Sequence, residues 1–289
     1  MKHMFLIFFM LVNVYANDMQ FLQEFIEKNK STLFKLEGYK EIHPLCMAAL
    51  YEDKVALDAL VKQGHNPKDS LINEKDLLAF VLENPYQEAK MFCSEKDDVS
   101  AEFVEYIIKQ YAFDVNKVAT KDEILYLNLA LRSHSKNATQ KVKLLLEHGA
   151  NPNKLNKGVY PLQFVSMDKS ISEKVLLLLK AGASLNSQDK DGDTPLHQLI
   201  YNIHQNNKMI EKYKNSKGNK VKITTTKDRN IQEILDNAFG EEYYYKDALY
   251  VTYNENIKNA INLLIQSGAD VSLKNKKGIS AEELLQTIR

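Results

Sequence analysis

The sequence predicts an all-α fold: a solenoid of stacked helix-turn-helix repeats, with a largely helical insertion in the last full repeat. A leucine-rich segment that ends at a glycine occurs three times, at 142–153 (VKLLLEHGANPN), 175–186 (VLLLLKAGASLN) and 260–271 (AINLLIQSGADV). Gly149 and Gly182 are 33 positions apart, a period typical of repeat architectures. Because one such unit cannot bury its apolar face alone, repeats of this kind stack into one elongated core.

The segment 189–200 (DKDGDTPLHQLI) carries the signals that start a helix. Thr194 can cap a helix whose first turn begins at Pro195, a residue that already has a helical φ and needs no N–H there. At the other end of a repeat, a glycine such as Gly149 adopts the left-handed conformation that ends the second helix. The leucines before that glycine bury the second helix between its neighbours.

These features resemble the ankyrin repeat. The Thr-Pro-Leu-His run at 194–197 matches the start of that family's first helix, and the Gly-Ala-Asp ending matches the close of its second helix. The resemblance implies an ankyrin-repeat solenoid at 41–289, with about five repeats and a C-terminal half-repeat cap, preceded by an N-terminal helical cap at 17–40. Spacing agrees in the first repeat, where Pro44 precedes Gly64 by 20 positions.

The middle repeats are less regular. The glycines of the first and third repeats are 85 positions apart, which is too long for two periods. An irregular second repeat therefore lies between them, with helices predicted at 77–84 and 103–116 and an inserted loop between these helices. In the third repeat Tyr126 takes the place of the proline, and the fourth repeat opens at Pro161.

The fifth repeat is split by an insertion at 203–256. Its proline and glycine are 53 positions farther apart than those of the first repeat, and a loop that long without structure of its own is uncommon. Apolar residues at spacings of three and four predict that the second helix starts near Asp247 and buries Tyr250 and Tyr253. Three consecutive tyrosines precede this helix and form a predicted contact surface, since tyrosine is enriched at binding hot spots. They are Tyr243, Tyr244 and Tyr245.

Charge is segregated within the insertion. Residues 205–229 carry a net charge of +6 and residues 230–256 a net charge of −5, in a chain whose 38 basic and 38 acidic residues balance. Two interpretations stay open: a basic arm for an acidic partner, or two halves that neutralise each other and keep a long loop solvated. The overall balance favours neither nucleic acid nor a membrane surface as a partner.

Residues 1–16 have the layout of a secretory signal peptide: a basic start, an apolar run and small residues before a polar stretch. The apolar run is too short to span a bilayer comfortably. We therefore expect cleavage after Ala16, export to the bacterial periplasm and no membrane span in the mature chain. A retained N-terminal anchor and a secreted protein are the alternatives. Asn29 lies in EKNKS, which resembles a bacterial glycosylation sequon.

The residues that most often carry chemistry form no recognised pattern. Cys46 and Cys93 could form a disulfide in an oxidising compartment or be small hydrophobes. His43 lies near Cys46, but metal-site spacing is missing. The chain has no Gly-rich phosphate loop, His-Glu-x-x-His or Cys-x-x-Cys motif. We therefore predict no metal, no cofactor and no enzymatic activity.

The ankyrin resemblance implies a monomeric scaffold that binds a protein partner through its turn tips, the concave face of its first helices and the insertion. A secreted effector of host proteins, and an accessory or immunity partner of an exported enzyme or toxin, are the alternatives. The positions that match the family's contact surface are Lys154, Asn156, Lys157, Gln163, Asp189, Lys190, Asp193, Gln198, Tyr201, Lys274 and Lys276.

Overall fold

The computed structural model describes residues 43–71, 74–83, 98–118, 123–165, 170–216 and 255–287. Several predictions concern residues outside these ranges and stay predictions. They are the signal peptide at 1–16, the cap at 17–40, Asn29, Cys93, most of the insertion with Tyr243, Tyr244 and Tyr245, and the helix start near Asp247.

The described residues form an all-α structure, as predicted, and extended pairing among them takes the form of isolated β-bridges such as Asn156–Val159 and Lys274–Ser280. The helices are α1 (Pro44–Leu50), α2 (Lys54–Lys62), α3 (Leu77–Leu82), α4 (Ala101–Gln110), α5 (Tyr126–Arg132), α6 (Ala138–Glu147), a 3₁₀ turn (Pro161–Gln163), α7 (Ile171–Lys180), α8 (Pro195–Ser216), α9 (described over 255–266) and α10 (Ala281–Leu285).

Most predicted helices lie where the sequence pattern places them. The segments 77–84 and 103–116 contain α3 and most of α4, and Tyr126 opens α5. The fourth repeat differs, because Pro161 begins a single 3₁₀ turn rather than an α-helix. Phe164 and Val165 follow this turn, and both residue types have below-average helix propensity.

The chain divides into two compact units. Unit 1 comprises Met1–Asp114 and Val118–Asp122, and unit 2 comprises Val115–Lys117 and Glu123–Arg289. In unit 1, α1 packs against α2 and α3, and α3 packs against α4. All six residues of α3 are buried. Each fully buried leucine or phenylalanine stabilises such a core by about 1.5–3 kcal/mol.

In unit 2 successive helix pairs pack against one another. The first elements of successive pairs are α5, the 3₁₀ turn, α8 and α10, and each of them contacts the next. The second helices α6 and α7 also contact one another. Leu129, Leu145, Leu178 and Leu196 are fully buried along this succession. The core of unit 2 therefore continues from one helix pair to the next.

Glycine ends the second helices in the predicted way. Gly149 and Gly182 have φ values of 84° and 86°. Beyond Gly149, the N–H of Ala150 donates to the carbonyl of Leu145 at 2.9 Å, which closes the helix in a Schellman motif. Ala112 takes the equivalent place after α4 with φ 49°, a conformation that an alanine adopts at a cost of about 1–2 kcal/mol.

Charged side chains link the elements of unit 1. The carboxylate of Glu52 accepts hydrogen bonds from the N–H and hydroxyl of Ser100, at 3.0 and 2.6 Å. Ser100 is the N-cap of α4, so a negative charge lies at that helix's N-terminus, where the helix dipole stabilises it. Lys68 donates to the carbonyl of Ala112 at 2.9 Å. Each link uses a different residue type.

A second charged link joins α2 to α4. The hydroxyls of Tyr106 and Tyr111 both donate to Oδ1 of Asp58 at 2.7 Å, and Gln110 Nε2 is 3.4 Å away. Burial raises the pKa of Asp58, but these hydrogen bonds outweigh burial and leave the pKa below its ordinary value. Burial, together with Asp58, raises the pKa of Tyr106 to about 12. The tyrosines are therefore protonated donors at neutral pH.

Two lysines are fully buried in unit 2. Lys141 and Lys174 lie at the same place in α6 and α7, eight positions before Gly149 and Gly182. The Nζ of Lys174 donates to the carbonyl of Leu131 at 3.3 Å and to that of Ser133 at 2.8 Å. These carbonyls lie at the C-terminal end of α5, so Lys174 satisfies groups that the helix itself leaves open.

Candidate partner-binding surface

Three tight turns in unit 2, which we call the tips, contain most of the predicted contact residues. They span 154–160, 189–194 and 274–280. In the first tip Lys157 and Gly158 both have positive φ values, 52° and 80°. The N–H of Val159 donates to the carbonyl of Asn156 at 3.0 Å, and the reverse bond is 2.9 Å. This is the geometry of a two-residue hairpin loop.

The second and third tips share a slightly longer loop. Each is closed by two backbone hydrogen bonds. The N–H of Asp189 donates to Asp193 and that of Gly192 to Asp189, both at 3.0 Å, and the equivalent bonds from Asn275 to Ile279 and from Gly278 to Asn275 are both 2.9 Å. The Oδ1 atom of Asp189 also accepts from two N–H groups of its own loop at 2.9 Å. Asn275 Oδ1 does the same at 3.0 and 3.1 Å. Because hydrogen bonds within each loop fix its conformation, the loop shape does not depend on a bound partner.

Backbone hydrogen bonds join the tips to one another. The N–H of Lys190 donates to the carbonyl of Gly158 at 3.3 Å, and the N–H of Lys276 donates to the carbonyl of Asp191 at 3.0 Å. The approach is closest at Gly192, where an added Cβ would lie 2.8 Å from the nitrogen of Lys276. The three tips therefore form one continuous strip.

A side chain at the start of the preceding repeat's first element supports each tip. Asn128, Gln163 and His197 occupy equivalent positions, each two residues after the first residue of its element. Asn128 donates to Asn156 Oδ1 at 3.2 Å, and Gln163 donates to the carbonyl of Asp193 at 2.7 Å. Three different residue types therefore provide the same support in successive repeats.

The histidine of this series is held in one tautomer. His197 Nε2 is 3.1 Å from the carbonyl oxygen of Ile279, and Nδ1 is 2.8 Å from the hydroxyl of Thr194. A carbonyl only accepts, so Nε2 carries the hydrogen and Nδ1 accepts from Thr194. The predicted structural role for His197 in the Thr-Pro-Leu-His run agrees with this geometry.

A second series of links runs through the turns that follow the second helices. Asn116 Nδ2 donates to the carbonyl of Gly149 and its Oδ1 accepts from the N–H of Asn151, both at 2.8 Å. Asn153 bonds Gly182 and Ser184 in the same way at 2.8 Å. We call Asn116, Asn153 and Asn186 the asparagine ladder, since Asn186 Oδ1 also accepts from the N–H of Asp270, at 2.9 Å.

Sequence reasoning missed the asparagine ladder, although a signal for it exists. Asn153 and Asn186 each follow a helix-ending glycine by four positions, and Asn116 follows Ala112 by four. An amide at that offset can pair with both an N–H and a carbonyl of the next turn.

The charged residues of the tips divide into internal and outward groups. Asp189 bonds its own loop, and Asp193 Oδ1 accepts from Asn275 Nδ2 at 2.8 Å. The lysine side chains, in contrast, are exposed. They are Lys154, Lys157, Lys190, Lys274, Lys276 and Lys277. Lys277 was not among the predicted contact residues.

Two predicted contact residues lie beneath the strip rather than on it. Asn156 and Gln163 are 7% and 8% exposed, and their amides are used in internal hydrogen bonds. We therefore leave both out of the surface. Tyr201 is partly exposed on α8, and its hydroxyl accepts from Asn275 Nδ2 at 3.0 Å. Gln198, also on α8, is partly exposed and lies beside Asn202.

His43, the residue closest to a metal-site hypothesis, caps a helix instead. Its Nδ1 accepts from the N–H of Leu45 at 3.2 Å, and its ring packs edge-on against His65 at 5.3 Å between centroids. Burial lowers the pKa of His43, and His65 lowers it further against the opposing effect of Asp69. Cys46 is fully buried in the same helix.

Two searches of the described ranges gave negative results. They contain no group of three or more histidine, cysteine, aspartate or glutamate side chains placed to hold a metal ion. They also contain no helix with the length and apolar character needed to cross a membrane.

Two comparisons with known proteins found no match. A scan against protein-family models finds no match to this chain. A search of curated proteins likewise finds none that matches. The strip is therefore the feature of this chain that points to a function.

Proposed function

We propose that this chain is an exported ankyrin-repeat scaffold that binds a protein partner and catalyses no reaction. The partner docks on the strip formed by the three tips, and the contact extends to the α8 positions Gln198 and Tyr201 and to the insertion at 203–256. The protein acts in the bacterial periplasm after its signal peptide has been removed.

The continuous strip of tips is the observation that carries this proposal. Its loops are held by their own hydrogen bonds and by bonds to neighbouring tips, such as Lys276 N–H to Asp191 at 3.0 Å. A surface that is already ordered loses little conformational entropy on binding. Apart from Lys154, whose Nζ donates to the carbonyl of Asn116, the outward lysine side chains can adapt to a partner while the backbone beneath them stays fixed.

The regular succession of helix pairs supports the ankyrin part of the proposal. Three features are consistent with the ankyrin resemblance: the period of 33 positions, the left-handed glycines and the Thr194–His197 hydrogen bond. The asparagine ladder repeats the same links from turn to turn. Repeats that contact only their neighbours create the extended surfaces with which solenoid proteins bind partners.

A pull-down with the mature chain tests the proposal. The tagged protein, starting after Ala16, is incubated with a periplasmic extract of the source cells, and captured proteins are identified by mass spectrometry. We expect one protein to be enriched over a tag-only control. A variant that lacks residues 205–256 should keep its helical circular dichroism signal and capture less of this protein.

Each result has a defined consequence. Capture of no specific protein would contradict the scaffold function, and unfolding of the deletion variant would show that the insertion belongs to the core. Full capture by a folded deletion variant would remove the insertion from the binding surface. Detection of the natural protein in culture supernatant rather than periplasm would favour the alternative of a secreted effector.

A further inference from the structure

We propose that the strip recognises a carboxylate-rich segment of its partner protein. This inference rests on the proposed function and adds the chemical class of the partner. It follows from the charges of the three tips, from the side chains that use those charges internally, and from the contrast with the turns that lead into the tips.

Positive charge is concentrated on the tips of a chain that is neutral as a whole. Residues 154–160, 189–194 and 274–280 contain six lysines and three aspartates, against 38 basic and 38 acidic residues in the full sequence. The glycine-containing turns of the same unit, at 149–153, 182–186 and 268–272, contain no lysine and one aspartate. The excess charge therefore lies in the tips and not in the turns that lead into them.

The three aspartates of the tips differ in how far the strip itself already engages them. Asp189 accepts hydrogen bonds from the backbone of its own loop at 2.9 Å, and Asp193 accepts from Asn275 at 2.8 Å. Asp191 is the aspartate whose carboxylate faces solvent, 3.2 Å from Lys190 Nζ. Two of three acids are thus engaged within the strip.

Lys154 Nζ donates to the carbonyl of Asn116, and the other five lysines of the tips remain available to a partner. The side chain of Lys190 is 67% exposed and that of Lys274 is 62% exposed. Ion pairs at this exposure are weak, so Asp191 and Glu283 do not prevent either lysine from turning to another carboxylate. Complementary charge of this kind speeds encounter and excludes partners of the same sign.

Carboxylates fit the strip better than a nucleic-acid backbone does. The three tips contain no arginine, the side chain that binds phosphate in two-pronged geometry and reads guanine. Asp191, 61% exposed in the middle tip, would repel a continuous row of phosphates. A peptide can place its carboxylates opposite lysines and leave a neutral residue opposite Asp191.

Charge reversal on the strip tests the inference. The strip variant replaces one exposed lysine on each tip: Lys157→Glu, Lys190→Glu and Lys276→Glu. The matched control makes the same change of charge on the second helices: Lys143→Glu, Lys180→Glu and Lys258→Glu, all exposed in α6, α7 and α9. Fluorescence anisotropy measures binding of a labelled decaglutamate peptide at low ionic strength, with circular dichroism to confirm folding.

We expect the wild-type chain to bind the peptide and added salt to weaken binding, because the contacts are electrostatic. The strip variant should bind at least about tenfold more weakly, and the control should stay within about twofold of wild type. Absence of wild-type binding, equal weakening in both variants, or tighter binding of a short DNA duplex would overturn the inference.

The pull-down separates this inference from the proposed function. If the strip variant captures the natural partner as well as wild type does, recognition of a carboxylate-rich segment is contradicted, and the scaffold function is retained. If wild type captures no protein, the scaffold is wrong whatever the peptide does.

Discussion

Unit 1 and unit 2 connect their helix pairs by different chemistry. In unit 2 the asparagine ladder and the side chains beneath the tips repeat uncharged links from one pair to the next. In the described part of unit 1 these links are ionised and each occurs once: Glu52 to Ser100, and Asp58 to Tyr106 of α4 and to Tyr111, which caps its C-terminus. Lys68 occupies the asparagine-ladder offset and donates to Ala112.

The difference shows how a repeat pattern becomes visible in a sequence. An amide that bonds the same two backbone groups in every turn requires the same residue at the same offset, so the pattern repeats. A carboxylate that bonds a particular serine or tyrosine requires only that partner, and the pattern is lost. Ionised links also make stability depend on pH, whereas amide links do not.

Lys174 is the sharpest exception to this contrast, because it is a charged link within unit 2. Lys174→Ala removes a fully buried side chain and leaves the carbonyls of Leu131 and Ser133 without its Nζ. We expect a loss of about 3–5 kcal/mol in the free energy of unfolding, from the cavity and the unsatisfied groups together. Urea denaturation followed by circular dichroism measures it.

Lys143→Ala serves as the control, since it removes the same charge from the exposed face of α6. It should change the free energy of unfolding by less than about 0.5 kcal/mol. A similar small loss for Lys174→Ala would mean that its buried hydrogen bonds contribute little to unit 2.

We expect the next largest loss of stability from a glycine substitution in the tips. Gly192→Ala introduces a side chain at φ 77° and places its Cβ 2.8 Å from the backbone nitrogen of Lys276. Gly149→Ala meets a positive φ of 84° but nothing within 4 Å. We expect about 1–2 kcal/mol for Gly149→Ala from the left-handed conformation alone and a larger loss for Gly192→Ala. Equal losses in thermal unfolding would contradict the close approach of the tips.

The sequence predicts the start and end of individual helices better than the contacts between them. Thr194, Pro195 and Gly149 act within their own repeat, so local rules place them correctly. From the sequence alone Lys174 is expected on an exposed helix surface, because no nearby residue indicates that a neighbouring helix end covers it. The 3₁₀ turn at Pro161–Gln163 has a related cause, since Pro161 signals where an element starts and not how long it is.

The same limit applies to the candidate surface. Exposed lysines such as Lys157 and Lys276 follow directly from their places in turn loops. Asn156 and Gln163 have equally polar side chains in the same segment, yet both point beneath the strip. Their direction depends on where the next tip lies, and that position arises from stacking rather than from residues nearby in sequence.

We expect a smaller difference in the free energy of unfolding between loss of an asparagine-ladder residue and loss of Lys68, its counterpart in unit 1. Asn153→Ala removes two hydrogen bonds to the next turn, each 2.8 Å, and should cost about 1–2 kcal/mol. Lys68→Ala removes one exposed bond to Ala112 at the same offset and should cost less than about 0.5 kcal/mol. If Lys68→Ala proves the more harmful change, the ladder does not distinguish the units.

The smallest expected effect tests the role of ionisation itself. The double variant Tyr106→Phe, Tyr111→Phe removes both hydroxyl donors to Asp58 and leaves the packing of their rings. The folded-state pKa of Asp58 lies below its ordinary value of 3.8, so the unfolded chain binds more protons in this range. The stabilisation is therefore present above about pH 4 and is lost as pH falls through the folded pKa.

We expect the melting temperature of the double variant to lie below that of wild type at neutral pH, and the gap to narrow as the pH falls below about 4. The gap is modest, because Asp58 is only partly buried and solvent screens it. Asn153→Ala is the matched comparison, since its lost hydrogen bonds involve no ionisable group and its gap should persist in acid. A tyrosine gap that stays constant to low pH would show that the hydroxyls stabilise unit 1 without the Asp58 charge, and the chemical contrast between the units would disappear.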